Sequence, residues 1–205
     1  MGFGATGSSS FYRHQQLTVI QVRSRSGGHA PNALVESSLI LMKQLMSHLE
    51  NLIAEYYDWK GYLVKRNIKV GKLGHGGWEM ELDVVAFDPH TGHLVHIEPS
   101  IDAHSWEVRE KRFTKKFVAA RKYIFSEVLT WLDSKVEIEQ IAVLVSHPKG
   151  RDQLAGGRVI SIDELMSEIR QSVIECGVVA KNAIPEQYPH LRTLQLSHNG
   201  YYKTL

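Results

Sequence analysis

The chain has 205 residues, a length that fits one domain with tails and can bury a proper core without disulfides. Its single cysteine, Cys176, rules out a disulfide framework or a CxxC zinc site within the chain, and a net charge of +2 rules out nucleic-acid affinity by sheer basic excess. No apolar run is long enough to span a membrane and the first thirty or so residues lack a secretory signal, so the expectation is a soluble, cytoplasmic protein.

Residues 1–31 are rich in Gly and Ser and read as a flexible N-terminal arm, in which Leu17, Val19 and Ile20 offer one optional strand. Asn32 suits the cap of a long amphipathic helix. Its apolar stripe runs through Leu34, Leu41, Met42, Leu45, Leu49, Leu52, Ile53 and Tyr56, and Gly61 stops it. Tyr62 to Val70, rich in β-branched residues, suits a strand, and the glycines from Gly71 to Gly77 make a loop. Trp78 to Phe87 and Leu94 to Ser100 read as two strands of a hairpin joined by the Asp88 to Gly92 turn. Phe113, Phe117, Ala120, Ile124 and Val128 mark one face of a helix expected from about Ser105 to Leu132.

Ile141 to Val145 then reads as a buried strand, Arg158 to Ser161 as another, and a helix opens at Ser161 or Asp163 and stops at Gly177. The body of the domain is thus residues 32–176. Residues 177–205, with Tyr188, Tyr201 and Tyr202 among prolines and basic residues, are expected to pack on the domain or on a partner, and a homodimer is one option. The order is helix, three strands, helix, strand, with a further strand and helix appended. That predicts an α/β fold with a mixed central sheet flanked by helices, and it carries neither a dinucleotide nor a P-loop glycine fingerprint.

Chemistry concentrates on the hairpin. Alternation puts Glu79, Glu81, Asp83 and Val85 on one face and Met80, Leu82, Val84 and Ala86 on the other, while Leu94, His96, Glu98 and Ser100 share a face of the return strand. Pairing can set Glu98 beside Asp83, where two carboxylates repel unless a cation sits between them, and an oxygen-rich corner of this kind suits Mg²⁺ or Mn²⁺. Basic residues bracket it: Lys60, Lys65, Arg66, Lys69 and Lys72 before, and Arg109, Lys111, Arg112, Lys115, Lys116, Arg121 and Lys122 after. Lys65, Arg66, Lys69, Arg109 and Arg112 are the candidate contacts to a nucleic-acid backbone, with solvated faces as the plainer reading of each run. His90, His93 and His96 invite zinc but lack a fourth ligand and a shared face, although His96 or His104 could act as an acid or base near a metal.

The stretch from Leu34 to Val145, and above all ELDVVAF with Asp83 and LVHIEPS with Glu98, resembles the PD-(D/E)xK nuclease superfamily, in particular the archaeal Holliday junction resolvases. The resemblance implies a restriction endonuclease-like core, a magnesium-dependent endonuclease activity on DNA in repair, recombination, restriction or mobile-element defence, and Asp83 and Glu98 as metal-binding acids. It also implies a third metal-binding acid from the first helix, for which Glu55 fits, with Glu50 further round. The motif lysine is replaced by Ser100. Some members of the superfamily move that base to the following helix, where Lys116 is the first candidate and Arg112 the second. The alternatives are a nuclease-like module that binds nucleic acid or a protein without cutting, and an assembly protein built on the same fold.

Overall fold

A computed structural model of the protein describes residues 48–202, so the N-terminal arm, its optional strand and the capping of the first helix by Asn32 lie outside the described residues. Helix α1 covers 48–59 of these. It ends where Gly61, at φ +92°, lets the Tyr62 N–H turn back onto the Tyr57 carbonyl at 3.0 Å. Three antiparallel strands follow, β1 (Leu63–Lys72), β2 (Trp78–Phe87) and β3 (Leu94–Ser100). The turn between β2 and β3 is fixed by the Asp88 carboxylate, which accepts from the His90 N–H at 2.8 Å and the Thr91 hydroxyl at 2.6 Å.

Helix α2 (Trp106–Tyr123), capped by the Ser105 side chain, carries the chain across to β4 (Ile138–Leu144), which lies parallel to β3. A short strand β5 (Gln153–Leu154) turns into β6 (Gly157–Ser161), parallel to β4, and β6 leads into α3 (Ile162–Cys176) through a Ser161–Glu164 capping box. The six strands form one mixed open sheet in the order β1-β2-β3-β4-β6-β5. A last helix, α4 (Pro189–His198), follows Gly177. Pro189 marks its first turn, a position where the missing N–H is harmless.

Helices cover both faces of the sheet. On one, Leu52, Ile53 and Tyr56 of α1 and Leu165, Ile169 and Val173 of α3 pack on Val84, Ala86, Val95, Ile97, Ile141 and Val143, with Ile184 and Leu191 sealing the edge. On the other, Phe113, Phe117, Ala120 and Ile124 meet Val85, Leu94, Ala142, Leu144 and Val159. Phe113 and Phe117 are fully buried, worth about 2–3 kcal/mol each, and they fix how α2 lies on the sheet.

Three details depart from the sequence reading. The helix expected to reach Leu132 stops at Tyr123 and continues as one wide π-helical turn, Ile124–Val128, in which the Leu129 N–H reaches the Ile124 carbonyl at 2.7 Å. That wider turn lets Ile124, Val128 and Leu129 all be buried. The tail contains a helix, α4, that its prolines concealed. Strict alternation along β2 also fails: Leu82 packs with Val85 and Phe87, not with Val84 and Ala86. The break falls at Asp83, which faces Asn67 between the paired residues Arg66↔Val84 and Ile68↔Leu82. Asn67 has a left-handed φ of 52°, and β1 changes parity at the same level, Val64 packing on the first face and Ile68 on the second.

Candidate functional site

Asp83 and Glu98 lie opposite each other just beyond the last ladder pair of β2 and β3, Val84↔Ile97. There the Asp83 N–H is taken by a side chain, the Glu98 carboxylate, whose Oε1 accepts it at 3.2 Å. Glu98 is wholly buried and Asp83 nearly so, at 6% exposure. Lys116 reaches over from α2. Its ammonium donates to Asp83 Oδ2 at 2.8 Å and also to Glu98 Oε2, so one cation spans both carboxylates.

The electrostatics follow from this crowding. Burial first, then the charge and hydrogen bond of Glu98, push the Asp83 carboxyl up to about 8 against the pull of Lys116. Burial alone would lower the Lys116 pKa, but Glu98 and Asp83 outweigh it and hold the ammonium above its ordinary value. His96, fully buried beside Glu98, is pushed down to about 3 by burial and then by the Lys116 charge, which keeps the ring neutral.

The acid that α1 turns toward this corner is Glu50. It is 8% exposed, and its pKa is raised first by burial and then by the Asp83 charge. Glu55, the residue favoured from the sequence as a third metal acid, serves another end of the molecule: its carboxylate takes the His190 ring at 2.6 Å and the Leu191 N–H at 2.8 Å, capping α4. Five residues along a helix is a rotation of about 140°, so the two glutamates cannot serve one site. Glu81 stays exposed.

Ser100 stands at the end of β3 with 1% exposure, and its hydroxyl donates to Asp102 rather than to either site carboxylate. Asp102 is a hub that sequence reasoning missed. It accepts from Ser100, Arg109 Nε at 3.4 Å, Arg112 and the His104 N–H at 3.3 Å, while Arg109 also donates to its main-chain oxygen at 2.6 Å. Burial opposes ionisation there, yet the Ser100 hydroxyl, the His104 N–H and Arg112 together hold its pKa below the ordinary value. An acid between the third strand and a helix carrying Arg109 and Arg112 on one side was the available signal.

Arg109 and Arg112 therefore share one carboxylate, that of Asp102, within the fold. Of the other candidate backbone contacts, Lys65 donates to the Val128 carbonyl at 2.6 Å and Arg66 to Asn51, whereas Lys69 is exposed with no ion pair among the described residues. The three histidines do not converge. His93 bridges Tyr62 at 2.9 Å and Glu139 at 2.8 Å, His96 bonds Glu98, and His90 is exposed.

Among the described residues no three His, Cys, Asp or Glu side chains converge as a ligand set. What converges is a pair of carboxylates on one cationic group. That donor set fits a hard ion which keeps several of its own waters, as Mg²⁺ does, and not tetrahedral zinc. Comparison with known proteins finds no matching family model and no matching curated protein. The site must be read from its own chemistry. No helix among the described residues is long and apolar enough to cross a membrane.

Proposed function

We propose that the chain is a metal-dependent nuclease of the PD-(D/E)xK type that hydrolyses phosphodiester bonds in DNA, with Lys116 on α2 standing in for the motif lysine. The observation that carries this reading is the reach of Lys116 to both Asp83 and Glu98 from the helix that follows the third strand. The element order of helix, three strands, helix and strand, with the carboxylates facing each other across the hairpin, supports a restriction endonuclease-like core.

Asp83 and Glu98 would hold the ion, Mg²⁺ or Mn²⁺. When bound, such an ion supplies an acidified water and polarises the scissile phosphate. Lys116 brings a fixed positive charge to where negative charge grows on the phosphoryl oxygens, and burial strengthens that interaction relative to water. Glu98 is kept in place by the Asp83 N–H and by His96. Lys69 and neighbouring basic residues of β1 would contact the backbone without reading sequence.

A second reading has its own observation. Lys116 satisfies both carboxylates without any ion, which is what a binding module that has lost catalysis would keep. Cleavage of linear, branched and single-stranded DNA and RNA in Mg²⁺, Mn²⁺ or EDTA separates the two. Metal-dependent cutting by the wild type that is lost in Asp83→Ala and Glu98→Ala supports the nuclease; binding without cutting under every condition supports the module.

A further inference from the structure

His96 sits in the middle of β3, between Val85 of β2 and Gln140 of β4, and no part of it is exposed. Its Nε2 lies 2.8 Å from Glu98 Oε1. Glu98 is already an acceptor twice over, from the Lys116 ammonium at Oε2 and from the Asp83 N–H at Oε1. A carboxylate in that setting has only lone pairs to offer, so the hydrogen in the contact belongs to the imidazole and Nε2–H donates.

That assignment leaves the other ring nitrogen bare. A neutral imidazole carries one N–H, so Nδ1 is a lone pair, and it is the one fully buried side-chain nitrogen or oxygen without a hydrogen-bond partner among the described residues. Its surroundings are apolar on the α2 side, where the Phe117 ring meets the imidazole edge-on at 5.7 Å. An orphaned acceptor in the interior weakens the folded state, and an apolar side chain of similar volume would remove the defect. Packing alone therefore argues against histidine at this position. The Nε2–H contact to Glu98 argues for it.

We propose that His96 is a positioning residue: it holds Glu98 Oε1 so that Oε2 turns toward Lys116 and toward the cation that Glu98 and Asp83 would share. The metal half of this statement rests on the nuclease reading above; the orientation half does not.

The test uses the full chain and three readouts. Nitrogen-15 NMR of the histidine rings in EDTA, with His96→Gln to assign the signal among the 11 histidines, is expected to show His96 as the Nε2–H tautomer with an unprotonated, non-bonded Nδ1. Thermal melting in EDTA is expected to place His96→Leu at or above the wild type. Calorimetric titration with Mg²⁺ is expected to show His96→Leu weakened by about 10- to 100-fold, the usual loss when the partner of a metal-binding side chain is removed. His96→Gln, whose amide nitrogen reaches about as far as Nε2, should recover most of that loss.

An Nδ1–H tautomer overturns the proposal. So does a His96→Leu chain that melts lower than the wild type yet binds Mg²⁺ as well, which is the behaviour of a merely structural histidine, or a folded His96→Gln chain that binds no better than His96→Leu. A wild type that binds neither Mg²⁺ nor Mn²⁺ overturns the metal reading instead. In that case the Nε2–H tautomer still supports the orientation half, with His96 as the donor to Glu98 Oε1.

Discussion

Replacing Asp83 by Asn should make the metal-free protein more resistant to unfolding, by an amount that grows with pH. In the fold the Asp83 carboxyl is pushed from the ordinary 3.8 up to about 8, by burial and by Glu98. In the unfolded chain it ionises near its ordinary value. Below about pH 4 both states hold the proton and the group contributes nothing to the balance. Between about pH 4 and pH 8 the folded state keeps a proton that the unfolded state releases, so wild-type stability falls as pH rises, by at most about 1.4 kcal/mol per unit. Above about pH 8 both states are ionised and the loss is complete. Asp83→Asn has no such titration, and its amide can still accept from Lys116. Urea unfolding in EDTA at pH 5, 6, 7 and 8 should therefore show the variant gaining on the wild type by up to about 1.4 kcal/mol per unit, then levelling off. A difference that stays flat with pH, or one that moves in favour of the wild type, refutes the reasoning. Added Mg²⁺ should stabilise the wild type in proportion to its binding and leave the variant where it was.

Lys116→Met keeps an unbranched stem one atom shorter and removes the charge; single-turnover cleavage should fall by about 100-fold or more, and a rate within about threefold of wild type would remove Lys116 from the mechanism. Glu55→Ala should lower stability by about 1–2 kcal/mol in urea unfolding, through loss of the α4 cap and the His190 pair, while cleavage stays unchanged. In DNA binding followed by fluorescence anisotropy across a salt series, Lys69→Ala should reduce the salt slope by about 1, whereas Arg109→Ala and Arg112→Ala should each reduce it by less because both are engaged by Asp102. Gly157→Ala would drive a methyl group into Phe117 Cε2 and place it 2.8 Å from the Gln140 carbonyl, so it should cost about 1–3 kcal/mol and slow cleavage by shifting the helix that carries Lys116.

The order from α1 to α3, apart from the two-residue β5, was legible because those elements are marked by their own period and stops, such as Gly61 after α1 and Ser161 before α3. Glu98 opposite Asp83 was legible too, since a short hairpin leaves little freedom in register. The side to which Leu82 points was not, because the change of parity at Asp83 accompanies a left-handed Asn67 on the neighbouring strand, which only the pairing of the strands brings to this level. The sequence favoured Glu55 over Glu50 because it lies nearer the apolar stripe, whereas the rotation of the helix against the sheet sets Glu50 near Asp83 and Glu55 on α4. Asp102 was missed for a related reason. Its meaning comes from Arg109 and Arg112, which meet it only after α2 has packed.

That dependence on packing is the main physical difference between this site and one with a lysine on the third strand. A lysine at position 100 would ride on the same strand as Glu98, two residues away, and its distance from the carboxylate would be set by the strand itself. Lys116 comes from the layer above, so its distance to Asp83 and Glu98 is set by how α2 seats on the sheet. Phe113 and Phe117 fix the height of that helix, and Asp102 fixes its first turns by tying Arg109 and Arg112 to the end of β3. Ser100, where the strand lysine would stand, instead gives its hydroxyl to Asp102. On the nuclease reading, position 100 is thus more than a gap in the motif: Ser100 helps to anchor the helix that carries Lys116.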